Sequence, residues 1–249
     1  MDTFQTRLME NGYFRQEELT FADCDRNKNA RVSALLRKAA NYAGYDYDAR
    51  GLTHGKLLEM RQAFLLSRLA LRIHRCPRAG EVLDITTMED GVKGAHMQRV
   101  YEMLDQAGRP CVSARSDWIL VDPVTRKILR PGSFTAKPLL PCDKEIDCPP
   151  TRKIVLPREG AEELGVRTIR WSDLDGNGHV YSANYGDIVW DCLPADLQER
   201  VPREFHINYS KEATLGEELR LLGSREGETC CYVEGLGPDG PCFTALCVF

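Results

Sequence analysis

A chain of 249 residues, 43% hydrophobic and 28% charged, can bury either one large core or two ordinary ones. Its formal net charge of -4 argues against general nucleic-acid binding, which needs a basic footprint to neutralise phosphates. No run of about 18 apolar residues occurs, so no membrane span is expected. The opening MDTFQTRLMENGYFRQEEL lacks the basic-then-apolar order of a signal peptide, and a cytoplasmic protein is expected. Ten cysteines without a CxxC pair then read as reduced and mostly buried. Cys230 and Cys231, adjacent in a strand pattern, face opposite sides and suit neither a bridge nor a shared zinc, so no structural metal is expected.

In chain order, residues 21–36 read FADCDRNKNARVSALL: an aromatic, then Asp-x-Asp-x-Asn, then a helical stripe. Val32, Leu35, Leu36, Ala39, Ala40 and Ala43 recur at the three-and-four spacing of a buried helix face. LRIHRCPRAGEVLDI (71–85) follows as strand, Gly-Glu corner and strand. QRVYEML, the turn DQAGRP and CVSARSDWILVDP make a strand meander. Residues 131–157, PGSFTAKPLLPCDKEIDCPPTRKIVLP, are rich in proline and charge and read as extended linker.

The same order then returns. Residues 171–186 read WSDLDGNGHVYSANYG, with Asp173, Asp175 and Asn177 lying 150 positions after Asp23, Asp25 and Asn27. Tyr185, Ile188, Val189 and Cys192 form the second helical stripe. INYSKEATLGEELRL (207–221) matches the earlier corner, setting Gly216 on Gly80, and three strands with tight turns close the chain. Strand, helix and antiparallel meander, twice over, predict an α+β fold in which each half wraps an antiparallel sheet around a long central helix. The divisions are 1–136, a linker over 137–163, and 164–249. Packed side by side, such units imitate within one chain the two-fold contact of a homodimer.

The loop DLDGNGHV (173–180) has two readings. Asp173, Asp175, Asn177 and Gly178 have the spacing of the first half of a calcium loop. A calcium loop needs a bidentate carboxylate at its twelfth position, and that position is Asn184. What precedes it is VRTIRWS, where Val166, Ile169 and Trp171 read as a strand rather than an entering helix. Asp173 is expected to close a turn, because Asp23 repeats it.

WSDLDGNGHVYSANY and YSKEATLG carry a resemblance to the bacterial acyl-(acyl carrier protein) thioesterases, relatives of the plant plastid enzymes. The resemblance covers nearly the whole chain and implies a tandem hot-dog fold, hydrolysis of fatty acyl thioesters, and an acyl carrier protein as partner. It puts the active-site residues on Asp175, Asn177, His179 and Glu212. Plant members have a cysteine after that glutamate where this chain has Ala213, so no nucleophile is expected there. No cofactor and no metal are implied.

Hydrolysis requires aiming a water, removing its proton and stabilising an oxyanion. Glu212 or His179 fits the second task, Asp175 and Asn177 fit orientation, and N–H groups at His179 and Val180 fit the third if a helix starts there. The first half has Asn29 in place of His179 and Cys76 in place of Glu212, so only the second half keeps a titratable pair. The first half is then free to hold the acyl chain. Arg31, Arg37, Lys38, Arg72, Arg75 and Arg78 are candidates to dock an acidic carrier. His54, His74, His96 and His206 have no motif around them. The alternatives are an acyl-coenzyme A thioesterase or another hot-dog thioester enzyme, and a non-catalytic acyl-binding or calcium-binding module. Acyl chain length and homodimer formation stay open.

Overall fold

The computed structural model describes residues 4–249. β1 (Thr6–Met9) and β2 (Gly12–Glu18) precede α1 (Val32–Ala49) and the short α2 (His54–Glu59). β3 (Ala63–Ile73), β4 (Val82–Lys93), β5 (His96–Leu104) and β6 (Pro110–Val121) complete the first half. The second half is β7 (Glu162–Thr168), α3 (Asn184–Asp191), α4 (Ala195–Gln198), β8 (Glu204–Tyr209), β9 (Glu218–Glu226), β10 (Cys230–Gly237) and β11 (Gly240–Val248). Within β4 the pleat turns Leu83, Ile85, Thr87 and Glu89 to one buried side, the first two as expected of a core and the polar last two not.

Two separate sheets were expected, and the structure has one. Eleven strands join in the order β1-β2-β4-β5-β6-β3-β8-β11-β10-β9-β7, a near-palindrome about the β3–β8 seam. At that seam Arg68 pairs with Asn208, Ala70 with His206 and Arg72 with Glu204, all antiparallel. Each half would otherwise end in an open edge of unpaired N–H and C=O groups, and the two edges satisfy one another. One buried cluster runs through both halves, from Leu35, Leu71 and Tyr101 to Ile188, Phe205 and Phe243.

A long central helix was expected in each half, and only the first half has one. α1 has 18 residues and α3 only 8. The repeat offset falls from 150 at Asp23/Asp173 to 136 at Gly80/Gly216, so the second half has 14 fewer residues with which to build its helix. Trp171 also departs from its strand reading: β7 stops at Thr168, and Trp171 begins a 3-10 turn with 80% of its surface exposed. The linker is no solvated tether. Ile146 and Cys148 are buried against Ala70 and Val100 on the back of the sheet, and Arg115 donates to the carbonyls of both linker residues. All ten cysteines are free thiols.

α1 and α3 meet at Gly186. A Cβ there would lie 3.0 Å from the Ser33 backbone and from Leu36 Cδ1, and Ser33 Oγ donates to Asp187 Oδ1 at 2.6 Å beside it. Gly186→Val therefore overpacks the helix contact and is expected to lower the unfolding free energy by about 1–3 kcal/mol, read from urea denaturation. Gly44, in α1, has nothing within 4 Å of the same construction. Gly44→Ala is expected to raise stability, which isolates crowding from helix propensity as the cause.

Candidate active site

The loop between β7 and α3 is organised by Asp175. Its Oδ1 accepts the N–H of Asn177 at 2.8 Å and of His179 at 3.3 Å, its own N–H donates to the His179 carbonyl, and Gly178 turns with φ +80°. The first-half loop repeats this around Asp25, which accepts from Asn27 at 2.8 Å and Asn29 at 2.9 Å, with Lys28 in the left-handed position at φ 65°. Asp173 behaves as a turn closer: it is buried, accepts from the Arg170 N–H at 2.7 Å and pairs with Arg167 at 2.8 Å. The Asn184 amide nitrogen donates to the Asp173 carbonyl, so the twelfth position of the calcium alignment contributes a donor where a cation needs oxygens.

A two-residue ladder then brings the segment after β8 onto this loop. His179 bridges Thr214, and the Val180 N–H donates to the Ala213 carbonyl at 2.9 Å. Glu212 lies two residues from the bridge partner, on the same side as His179. His179 Nε2 is 3.4 Å from Glu212 Oε2, with the two side chains 29% and 35% exposed. Ala213 alternates to the other face and is fully buried. The thiol near this segment, Cys242, lies with its sulfur 3.9 Å from the Glu212 carbonyl, buried, and burial pushes its pKa up, so it is a poor nucleophile.

The expected helix-end oxyanion donors are not available. The His179 and Val180 N–H groups are both engaged, and α3 begins only at Asn184. A residue the sequence did not single out is also present: Arg126, from the turn after β6, forms an ion pair with Glu212 across the two halves. That turn showed only as a change of pattern; nothing in VTRK marks a guanidinium aimed at a carboxylate eighty-odd residues on, a separation of 86.

His179, Glu212 and Asn177 border a cavity of about 580 Å³ whose remaining wall is first-half apart from Leu139 of the linker. Its size falls in the about 300–1,000 Å³ range of small-molecule sites. Ala40, Ala43, Gly44, Tyr47 and Asp48 form one stripe of α1 along it, so the alanines read from periodicity as core line a void instead. His54, unassigned from sequence, lies on the same wall.

The proposed docking cations change standing. Lys38 is buried and paired with Glu17 at 2.5 Å, which removes it from any surface. Arg72 pairs with Asp147 and Glu204, Arg75 makes two bonds to Glu81, and Arg31 lies 4.0 Å from Asp187. None of the six borders the cavity.

The acyl-ACP thioesterase N-terminal domain matches residues 10–131 and the acyl-ACP thioesterase C-terminal domain residues 159–234. A curated relative, the chloroplastic palmitoyl-acyl carrier protein thioesterase of Arabidopsis thaliana, is 23% identical over 94% of this chain, which spans 60% of that protein's length. An acyl-ACP thioesterase structure from Bacteroides thetaiotaomicron superposes with a TM-score of 0.86 at 24% identity, covering 95% of this chain and 96% of that one. The 12:0-ACP thioesterase of Umbellularia californica gives 0.78 at 17% identity, covering 97% and 98%. These likenesses carry the fold, a hot-dog fold rich in sheet. With both domain descriptions of one family matched in order along its two halves, the chain belongs to the acyl-ACP thioesterase family.

Proposed function

We propose that the protein hydrolyses fatty acyl thioesters of acyl carrier protein, releasing the free acid and so ending chain elongation. The observation that carries this reading is the cavity of about 580 Å³ built by the first half and bordered by the His179–Glu212 pair of the second. The first half, over residues 1–136, holds the acyl chain, and the second, from 164 on, supplies the reacting groups.

Glu212 already faces two cationic or protonatable partners, Arg126 and His179. It is suited to orient the imidazole and to stabilise its charge after proton uptake, which leaves His179 as the base. With Nε2 on Glu212, Nδ1 takes the proton of a water as its oxygen attacks the thioester carbonyl. The tetrahedral intermediate collapses with cleavage of the C–S bond, and the imidazolium returns the proton to the departing thiolate. Asn177, on the exposed rim of the cavity, offers an amide N–H for the oxyanion. Asp175 acts by fixing the loop that carries both groups.

The test is thiol release from a panel of acyl carrier protein and acyl-coenzyme A thioesters. Turnover of carrier thioesters well above coenzyme A thioesters supports the reading; a coenzyme A preference replaces the partner, and no turnover of any thioester sinks it. Arg126→Ala is expected to lower kcat/KM by no more than about fivefold, because an exposed ion pair is worth at most about 1 kcal/mol. A loss as large as that of His179→Ala would make Arg126 a participant in the chemistry.

A further inference from the structure

The chain carries a net charge of -4, yet one stretch beside the active site is cationic and apolar at once. The cavity reaches solvent where Leu58, Leu65, Arg126, Asn177 and Glu212 border it, since all five are exposed. The turn after β6 makes one side of that mouth: Asp122, Pro123 and Arg126 border the cavity, and Val124, Lys127, Ile128 and Arg130 are exposed around them. The turn is held in shape by its own bonds. Asp122 Oδ1 accepts the N–H of Val124 at 2.9 Å and of Thr125 at 3.0 Å, its carbonyl accepts from Arg126, and its N–H donates to the Lys127 carbonyl. Arg61, just past the end of α2, pairs with Asp122 at 2.9 Å and donates its N–H to the Leu58 carbonyl, so the end of α2 and the turn form a single rim.

The outer side chains of this rim are not used by the fold. Arg126 and Arg61 hold Glu212 and Asp122, but Lys127 and Arg130 meet no carboxylate among the described residues. Val124 and Ile128 are 75% and 63% exposed, and Ile128 is the bridge partner of Val121, which borders the cavity. Single apolar residues scattered over a surface need no explanation, whereas two in one rigid turn, with Leu58 and Leu65 exposed on the same mouth, form a patch. Four cations, Arg61, Arg126, Lys127 and Arg130, stand there against Asp122 and Glu212. The α1 side of the cavity presents Asp48 instead, so the positive charge is confined to the turn side.

We infer that this rim is the surface on which the acyl carrier protein sits while its thioester lies in the cavity, through a carrier face that is acidic around a small apolar spot. The inference rests on the reading of the protein as a carrier thioesterase, and it locates the contact that separates carrier substrates from coenzyme A substrates. Complementary charge speeds encounter and fixes the register of the partner, while desolvated apolar anchors lengthen its stay. The rim reaches Glu212 through Arg126, so a carrier held there presents its thioester beside His179.

The experiment compares thioesters of one acyl chain on acyl carrier protein, on coenzyme A and on pantetheine, which has neither protein nor phosphate. Thiol release gives kcat and KM for the native chain, for Lys127→Glu with Arg130→Glu, for Val124→Asp with Ile128→Asp, and for a control reversal away from the mouth, Arg7→Glu with Lys153→Glu. In both rim variants KM for the carrier thioester is expected to rise about tenfold or more, with kcat near native and the pantetheine thioester used as before. The charge variant should also flatten the fall of kcat/KM with salt on the carrier substrate, and the control should change neither. An unchanged carrier KM in either folded rim variant overturns the inference while leaving hydrolysis intact. An equal rise with coenzyme A would show that the rim reads phosphate and not the carrier protein, and an equal rise with pantetheine that the cavity itself was disturbed; each overturns it. If the native chain cleaves no thioester, the functional reading fails, and calorimetric binding of the acylated carrier then decides the surface: binding that the charge variant loses supports it, and absent or unaltered binding overturns it.

Discussion

Replacing His179 with alanine is expected to lower kcat for thioester hydrolysis by about 10²–10⁴-fold, the range a positioned acid–base group supplies. KM should change little, because the proposed acyl site is lined mostly by the first half. Glu212→Gln keeps the shape of the partner 3.4 Å from Nε2 and removes its charge, so kcat should fall again, by less than in His179→Ala. The control comes from the repeat. Asp175→Ala and Asp25→Ala each delete a carboxylate that accepts two loop N–H groups, at a cost of about 0.5–2 kcal/mol as for a lost helix cap. Both should lower the melting temperature, but only Asp175→Ala should lower kcat. Circular dichroism and thiol release on the four variants check this, and unaltered kcat in folded His179→Ala would overturn the mechanism.

The repeat was legible because its signals are local: an aromatic, alternating Asp and Asn, and a Gly-Glu corner each fix a short backbone shape. The same locality explains the misses. Whether two sheet edges join depends on the pairing of Leu69 with Ile207, residues far apart in sequence and similar to any other strand residues. The length of α3 was hidden because a helical stripe shows which residues share a face and not where the helix begins; Tyr181 to Ala183 stay outside it. Of the site, His179 stood out as the break in the repeat, and Glu212 only through the resemblance. Arg126 and the polar cavity wall were invisible, because their partners lie on other elements. Ala40 and Ala43 show the limit plainly: periodicity put them on the inner face, and no sequence rule distinguishes an inner face that is filled from one left open.

Asp46→Ala is expected to be the most destabilising single change, by about 3–5 kcal/mol, because it leaves a buried cation short of its counter-charge. Asp46 is fully buried and holds both Arg99 and Arg50, and Arg99, whose pKa is raised among Tyr101, Tyr47, Asp46 and Glu89 despite its burial, stays charged at every working pH. Urea denaturation should show a lower midpoint with an unchanged slope, the sign of lost stability rather than of an altered unfolded state. The double variant Asp46→Leu with Arg99→Met removes both ions together. Replacing a whole buried pair with apolar groups of similar size is often neutral, so most of the stability should return, and the cycle of four proteins gives the coupling directly. A double variant as stable as the native chain would mean that the ions are not kept for folding. Of the two, Arg99 borders the cavity, so its retention would then be tied to the cavity and not to stability. A double variant no more stable than Asp46→Ala would instead show that the network's main task is to hold α1 on the sheet.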